Sequence, residues 1–527
     1  MQDGEISEEQ IGIRTARKGT IYIMGRLLSA ASTLAILIFL TRYLGAAEYG
    51  LYAIAAAFTS VLGMSGNFGL GTGTRKRLPE LESRKDVSRH VATTYFIALL
   101  ASGLIMLLGI GISGYIAVNV YKNASLYIPL IIASITVVLS VIYNVSNSVL
   151  VGLDKVKQAS ICNIIYAFAQ LVGVVLLVLL GFSIEGALAG LAIGLAVGTL
   201  VALFYIVRSK KVDVSRPSLK LGRKMLGFSL PIMVSNVAYV GIANLAIDLL
   251  GIVVAPNIVG SFGAAYKLGK TFDLILVSST FVLLPALSKA FSDPSLSKKI
   301  SEIYNTSIFY LIMLVLPVLV FLITSAKYIT RILFSGAYPY SGIYFALISV
   351  GITIQVISSF AGTLIISHGN TKRFMKYQLI GVMAEFILLV LLIQRFDAYG
   401  VILSIFIIGP LLINYMYIRM LRNEFKIRLD YGKIGKLFTL ALATWLIVTI
   451  LNYYATGISY FTVLLDFVAV VLIYPPLLIL TGSANSKNMD FVGRMTKGLP
   501  ILGSFMAGIV RYATLFSSEE REGKAKQ

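Results

Sequence analysis

Long apolar runs alternate with short polar segments along the whole chain. Each of the fourteen runs is close to or above the roughly 20 residues that an α-helix needs to cross a bilayer. The runs cover residues 20–43, 48–70, 91–115, 126–152, 158–181, 183–207, 227–252, 258–287, 303–326, 338–366, 374–394, 398–418, 437–455 and 459–482. The pattern predicts an all-α integral membrane protein with fourteen transmembrane helices.

Basic residues are distributed very unevenly among the segments between these runs. If the N-terminus lies inside, only five of the 45 Lys and Arg residues lie outside and three lie within runs. The five are Arg42, Lys122, Lys327, Arg331 and Arg395, and the three are Arg26, Lys267 and Lys270. Such a bias follows the positive-inside rule. It predicts that both termini lie in the cytoplasm.

Composition supports a membrane protein and excludes several function classes. Mean hydropathy is +0.86 and only 13% of residues are charged, so lipid is the expected solvent. The net charge of +21 is then better explained by anionic lipid than by nucleic acid. A single cysteine and two histidines argue against a disulfide, a metal centre or a bound cofactor. The segments between runs are too short for a soluble catalytic domain.

Short segments recur along the chain at a shift of about six helices. Three pairs of landmarks agree on this shift: Glu48–Tyr52 with Ile258–Phe262, Val151–Lys155 with His368–Lys372, and Ile184–Ala187 with Ala398–Val401. Each match alone is weak, because glycine at a short turn is what turn geometry demands. Their common spacing predicts two pseudo-symmetric lobes of six helices in the same orientation, with two further helices appended.

These elements define the predicted domain organisation. A cytoplasmic N-terminus precedes an N-lobe of spans 1–6, a basic linker, a C-lobe of spans 7–12, spans 13–14, and a cytoplasmic tail with an interfacial amphipathic segment. The corresponding residues are 1–19, 20–207, 208–226, 227–418, 437–482 and 483–527.

Charged residues inside the predicted spans are the candidates for function, because a charge at mid-bilayer costs about 3 kcal/mol. Lys267 and Lys270 lie roughly 14 and 18 Å into span 8 at about 1.5 Å per residue, and they share a helix face with Asp273. Arg26 lies roughly 9 Å into span 1. These cations would line a central cavity and bind an anionic cargo. Alternatively, Lys270 pairs with Asp273, and Arg26 reaches the cytoplasmic surface.

Four charged residues are candidates for ion coupling or gating, namely Glu385, Asp273, Asp248 and Arg42. Glu385, near the middle of span 11, would take up a proton or help to bind Na⁺, or it would be a buried, hydrogen-bonded acid. Asp248, near the outer end of span 7, would close an outer gate against Arg42 or cap that helix end in water. Asp466 in span 14 is interpreted as structural.

Several motifs resemble those of the Wzx-type oligosaccharide flippases. They are Arg42-Tyr43-Leu44-Gly45 with Glu48-Tyr49-Gly50-Leu51-Tyr52 after the first helix, then Leu230-Pro231, Asp248 to Gly251, Val259-Gly260 and Tyr266. Leu283-Leu284-Pro285-Ala286-Leu287-Ser288-Lys289 resembles the end of helix eight in lipid II flippases. The resemblance covers essentially the whole chain and places it in the multidrug/oligosaccharidyl-lipid/polysaccharide (MOP) exporter superfamily.

The resemblance implies a flippase that moves a polyprenyl-(pyro)phosphate-linked oligosaccharide to the outer leaflet by alternating access. It implies a cationic cavity holding the pyrophosphate, with Arg26 and either Lys267 or Lys270 matching the family's cavity cations. It also implies a monomer in a bacterial or archaeal plasma membrane, working beside glycosyltransferases and a polymerase or ligase. A proton gradient, a sodium gradient or the membrane potential would drive it.

Two other function classes fit less well. A drug and cation antiporter of the same superfamily usually has twelve spans and an acidic cavity, whereas the midplane pair here is basic. A membrane glycosyltransferase or glycan polymerase would need an Asp-x-Asp motif or a long outer loop, and the sequence has neither.

Overall fold

The fold comes from a computed structural model, and all the regular secondary structure of its described residues is helical. Apolar segments become helices because a helix satisfies its own backbone hydrogen bonds where no water is available. The described residues are 8–209, 211–213, 215–236, 241–278, 300–367, 371–454, 459–496 and 502–516.

Seventeen α-helices are described in these ranges, and we number them in chain order. Helices α1 to α8 are Glu8–Asn67, Leu70–Arg77, Arg84–Tyr115, Tyr127–Gly152, Val156–Leu177, Ser183–Arg208, Leu219–Asn236 and Ile242–Val253. Helices α9 to α17 are Pro256–Ser278, Ile300–Phe334, Ser341–Ser367, Thr371–Val401, Gly409–Glu424, Tyr431–Tyr454, Ser459–Leu480, Ser486–Thr496 and Leu502–Thr514.

In the described residues, nine helical stretches are long and apolar enough to cross a membrane. Three of them, 28–67, 156–208 and 373–424, are 40, 53 and 52 residues long, which is far more than one crossing needs. Each contains a backbone reversal. The chain is therefore an all-helical membrane protein in which some predicted pairs of spans follow each other without a polar loop.

The reversals occur at single residues with positive φ. Gly45 has φ 74° inside α1. Gly181 has φ 94°, and Ser183, at the start of α6, has φ 43°. Asp397 has φ 50° near the end of α12. The predicted runs break between residues 181 and 183 and between residues 394 and 398, and the structure interrupts the helices at the same two places.

The helices form two compact units by their contacts. Unit 1 contains residues 1–264 and 393–398, and unit 2 contains residues 265–392 and 399–527. In unit 1, α1 packs against α4, α5 and α8, and α4 also packs against α3 and α6. Its core includes the buried side chains Leu70, Val91, Val145, Cys162 and Ile206. The lobe boundary at 208–226 stays a prediction.

In unit 2, α10 is the central helix. It packs against α11, α14 and α15, and α11 packs against α13. The tail helices α16 and α17 pack against each other, and α17 packs against α15. Phe491 of α16 stacks on Tyr310 at 4.6 Å between ring centroids, and the Asn488 amide donates a 2.9 Å hydrogen bond to the Tyr310 hydroxyl. The described part of the tail thus docks on the helices.

Large apolar side chains cover much of the outer surface of the described helices. Examples that are more than half exposed are Leu104, Leu108, Leu176, Leu180, Leu391, Leu442, Ile450 and Leu464. Exposed apolar surface on this scale is unfavourable in water and marks a surface that contacts lipid.

Candidate functional site

Helices α1 and α9 cross with their backbones in direct contact. A Cβ atom added to Gly50 would overlap the carbonyl oxygen of Pro256, and one added to Gly260 would overlap the carbonyl oxygen of Ala46. Small residues permit this approach between membrane helices. The sequence analysis treated Gly50 and Gly260 as turn residues, but the structure places both in a helix crossing. In the sequence, other small residues lie three or four positions from each of these glycines, and this spacing is typical of a helix crossing.

The contacting face of α9 extends toward the predicted midplane of the membrane. Pro256, Gly260, Gly263, Lys267 and Lys270 follow each other at spacings of three and four residues, so they lie on one side of the helix. The Lys267 side chain is exposed and that of Lys270 is half-buried. This face of α9 therefore contacts α1 at its start and carries the predicted membrane cations, Lys267 and Lys270, further along.

Another side of α9 is fixed by packing within unit 2. The Tyr266 ring meets the Phe406 ring edge to face, with 5.9 Å between centroids. A Cβ atom on Gly269 would lie 2.9 Å from Ile348 and 3.1 Å from Ile352. These contacts orient the helix, so that the Lys267 side chain is exposed while its neighbours Tyr266 and Gly269 are buried.

Two of the predicted site residues have side chains that lie outside the described part of the structure. They are Arg26 in α1 and Asp273 in α9. Their roles stay predictions.

Glu385 is buried, with 6% of its surface exposed, in the middle of α12. It packs against Gly409, where an added Cβ atom would overlap the Glu385 carboxyl group. In the described part of the chain, it has no hydrogen-bond partner. A carboxyl group enclosed in this way needs a proton or a cation to balance its charge.

The backbone beside Glu385 is irregular. Residues Ile402–Ile408 form a π-helix directly before α13, and Pro410 follows Gly409. Proline lacks an N–H group, so the Phe406 carbonyl loses its usual helical partner. The widened turn accommodates this loss, as is common at functional sites in helices. Because Phe406 also packs on Tyr266, this segment connects the surroundings of Glu385 with those of Lys267.

Asp248 is also buried, with 8% of its surface exposed, in α8 of unit 1. The Tyr121 hydroxyl donates a hydrogen bond to its carboxyl group. Its Oδ1 atom has no hydrogen-bond partner. Arg42 is exposed on α1. Tyr121 is a partner that the sequence analysis missed, because it follows a different span. A gate between Asp248 and Arg42 stays a prediction.

Asp466 binds two neighbouring helices of unit 2. Its side chain is completely buried and accepts a 2.6 Å hydrogen bond from Ser325 of α10. It also forms a hydrogen bond with Asn452 of α14. Polar side chains that join membrane helices in this way stabilise their packing. The geometry therefore favours a structural role.

Comparison with known proteins places the chain in a family. Residues 39–341, more than half of the chain, match the family model described as Polysaccharide biosynthesis protein, and the chain belongs to that family. It is also similar to the "Probable low-salt glycan biosynthesis flippase Agl15" of Haloferax volcanii, with 21% identity over 397 residues. That alignment covers 75% of this chain and 81% of the relative.

Solved structures show the same fold. A lipid II flippase, MurJ, in an inward closed conformation superposes with a TM-score of 0.72 at 15% identity, covering 88% of this chain and 98% of that one. An inward-facing multidrug resistance MATE family transporter of the MOP superfamily superposes with a TM-score of 0.62 at 16% identity, covering 78% and 98%.

The predicted membership of a polysaccharide biosynthesis family is therefore confirmed. The chain is a multi-pass, all-helical membrane protein of this family with a MurJ/MATE-like fold.

Proposed function

We propose that this transporter is a flippase for a polyprenyl-(pyro)phosphate-linked oligosaccharide. The observation that carries the proposal is the basic face of α9, where Lys267 is exposed and Lys270 lies one turn further along. Diphosphate is the most highly charged part of such a lipid. Ammonium groups in a low-dielectric surrounding attract it strongly and would not attract a cationic drug.

Fourteen crossings with both termini in the cytoplasm would give the flippase its orientation. In this topology the cargo enters from the inner leaflet of a bacterial or archaeal plasma membrane, where glycosyltransferases assemble it. A polymerase or ligase would consume it outside. Arg26 of α1 would supply a third cation to the same central cavity.

Alternating access would require α1 and α9 to separate where Gly50 and Gly260 now meet. At Gly50 and Gly260 the contact is made by backbone atoms. Glu385 is our candidate for coupling to a proton or sodium gradient, because a buried carboxyl group with no hydrogen-bond partner in the described part of the chain can exchange such an ion.

Reconstitution with a defined cargo tests the function. Purified protein is placed in liposomes with a fluorescent polyprenyl-diphosphate-linked oligosaccharide, and an impermeant quencher reports the lipid that reaches the outer leaflet. We expect translocation of this lipid and none of a hydrophobic cation. Transport of the cation with no response to the lipid would instead establish a drug antiporter.

A further inference from the structure

A cavity of about 520 Å³ lies at the end of α10, within unit 2. It is formed by the last turns of α10, the start of α11 and the turn between them. The sequence analysis assigned no role to these residues. A cavity of this size is in the range of small-ligand sites, which span about 300 to 1,000 Å³.

The cavity contains two cations on the same helix face. Lys327 and Arg331 are one turn apart, so their like charges repel each other. Both side chains are exposed, and neither forms an ion pair within the described part of the chain. They are also two of only five basic residues that the charge distribution places outside. Lys327 and Arg331 repel each other and lie on the side of the membrane where basic residues are rare. Their presence there is explained if an anion binds between them.

The shape of the cavity is fixed by close backbone packing. A Cβ atom on Gly342 would lie 2.9 Å from the Lys327 Cα atom, so α11 starts directly against the cationic turn. Ser335 and Gly336 both have positive φ and turn the chain between the helices. The Thr330 hydroxyl donates its hydrogen to the Ala326 carbonyl. Lys327 and Arg331 are the charged lining groups that can donate to an anion.

Part of the cavity lining is apolar. Ile323, Ile343 and Ala346 form this part, and Ile343 is 50% exposed. The apolar run of α10 covers 303–326, and its helix of roughly 36 Å exceeds the roughly 30 Å hydrocarbon core. Lys327 thus lies at the level of the lipid headgroups. At this depth, a cavity lined by both cationic and apolar groups is suited to a phosphate that is attached to an alkyl chain.

We infer that this cavity binds the phosphate headgroup of a lipid in the outer leaflet. Lys327 and Arg331 bind the phosphate, and the surface beside Ile343 contacts the chain attached to it. Two lipids carry this chemistry: an anionic phospholipid of the bulk membrane and a polyprenyl phosphate. The inference concerns a binding site at the surface and does not depend on what the transporter moves.

Binding to purified protein in nanodiscs tests the inference. The probes are a fluorescent phosphatidylglycerol, a fluorescent polyprenyl phosphate, diacylglycerol as the lipid without phosphate, and inorganic phosphate as competitor. We expect one or both phosphate-bearing lipids to bind, and the double variant Lys327→Ala with Arg331→Ala to raise the dissociation constant at least tenfold. The lipid that binds more tightly identifies the source.

Arg395→Ala is the matched control, because Arg395 is another predicted outer basic residue and lies outside the cavity, over the Phe396 ring. It should bind both lipids like the unmodified protein. A second readout uses an impermeant amine reagent, from which bound lipid should protect Lys327. Unchanged binding by the double variant, equal binding of diacylglycerol, or full displacement by inorganic phosphate at the same affinity would each overturn the inference.

Discussion

Ser183 and Asp397 adopt almost the same unusual backbone conformation at equivalent positions of the internal repeat. Ser183 has φ 43° and ψ −121°, and Asp397 has φ 50° and ψ −130°. The two residues immediately precede the matched segments Ile184–Ala187 and Ala398–Val401. This conformation is normally reserved for glycine in a type II′ turn. The repeat inferred from loose sequence matches thus has a counterpart in local backbone geometry.

A first prediction concerns the strain at these reversals. Asp397 is exposed, and a residue with a Cβ atom in this region costs about 1 to 3 kcal/mol. Asp397→Gly should therefore stabilise the protein by about 1 kcal/mol, measured as a higher Tm in detergent. Gln394→Gly, at an exposed helical position three residues earlier, should lower the Tm. A lower Tm for Asp397→Gly would show that its side chain holds the turn.

The helix crossing gives a second prediction. Gly50→Ala and Gly260→Ala each place a methyl group on a backbone carbonyl, so the helices must move apart at a cost of about 1 to 3 kcal/mol. Both variants should have a lower Tm and altered transport. Gly111→Ala is the control, since nothing lies within 4 Å of its added Cβ atom. Equal behaviour of all three variants would contradict the contact.

A cross-link at the same crossing tests whether the helices must separate during transport. A Cβ atom on Gly263 would lie 3.0 Å from the Ala53 Cβ atom, so a small outward shift brings the two atoms to the roughly 3.5 to 4.5 Å found in disulfides. Ala53→Cys with Gly263→Cys should form a disulfide on oxidation, and the native Cys162 is buried and should not interfere. We expect oxidation to stop translocation and reduction to restore it. Full transport by the oxidised protein would exclude separation of α1 from α9.

Sequence reasoning identified the apolar helices of a membrane fold, because hydropathy and helix spacing are local properties. It missed the packing partners of several residues in these helices. The Gly50–Gly260 contact joins positions 210 residues apart, and Tyr121 reaches Asp248 from another span. Such contacts depend on how helices pack, which a single sequence does not encode locally.

Glu385 gives a prediction about ion coupling. Glu385→Gln keeps nearly the same shape against Gly409 but cannot exchange a proton or bind Na⁺ as a carboxylate. The variant should bind cargo normally, while its translocation should no longer respond to an imposed proton or sodium gradient. The measurement is initial translocation rate in liposomes with and without each gradient. An unchanged gradient response would remove Glu385 from coupling.

Asp466 should be structural. Asp466→Ala leaves the buried Ser325 and Asn452 groups without their shared partner, at a cost of about 1 to 3 kcal/mol. We expect a clearly lower Tm and an unchanged dissociation constant for cargo in the protein that remains folded. Weaker cargo binding at a temperature well below the Tm would assign Asp466 to the site.

The central claim is that Lys267 and Lys270 attract the diphosphate of the cargo, and one measurement tests it most directly. The double variant Lys267→Ala with Lys270→Ala is compared with Lys220→Ala, an exposed lysine on α7, in liposomes containing the fluorescent diphosphate-linked lipid. We expect the double variant to fold and to lose translocation, while Lys220→Ala retains it. Translocation at the unmodified rate by the double variant would contradict the claim.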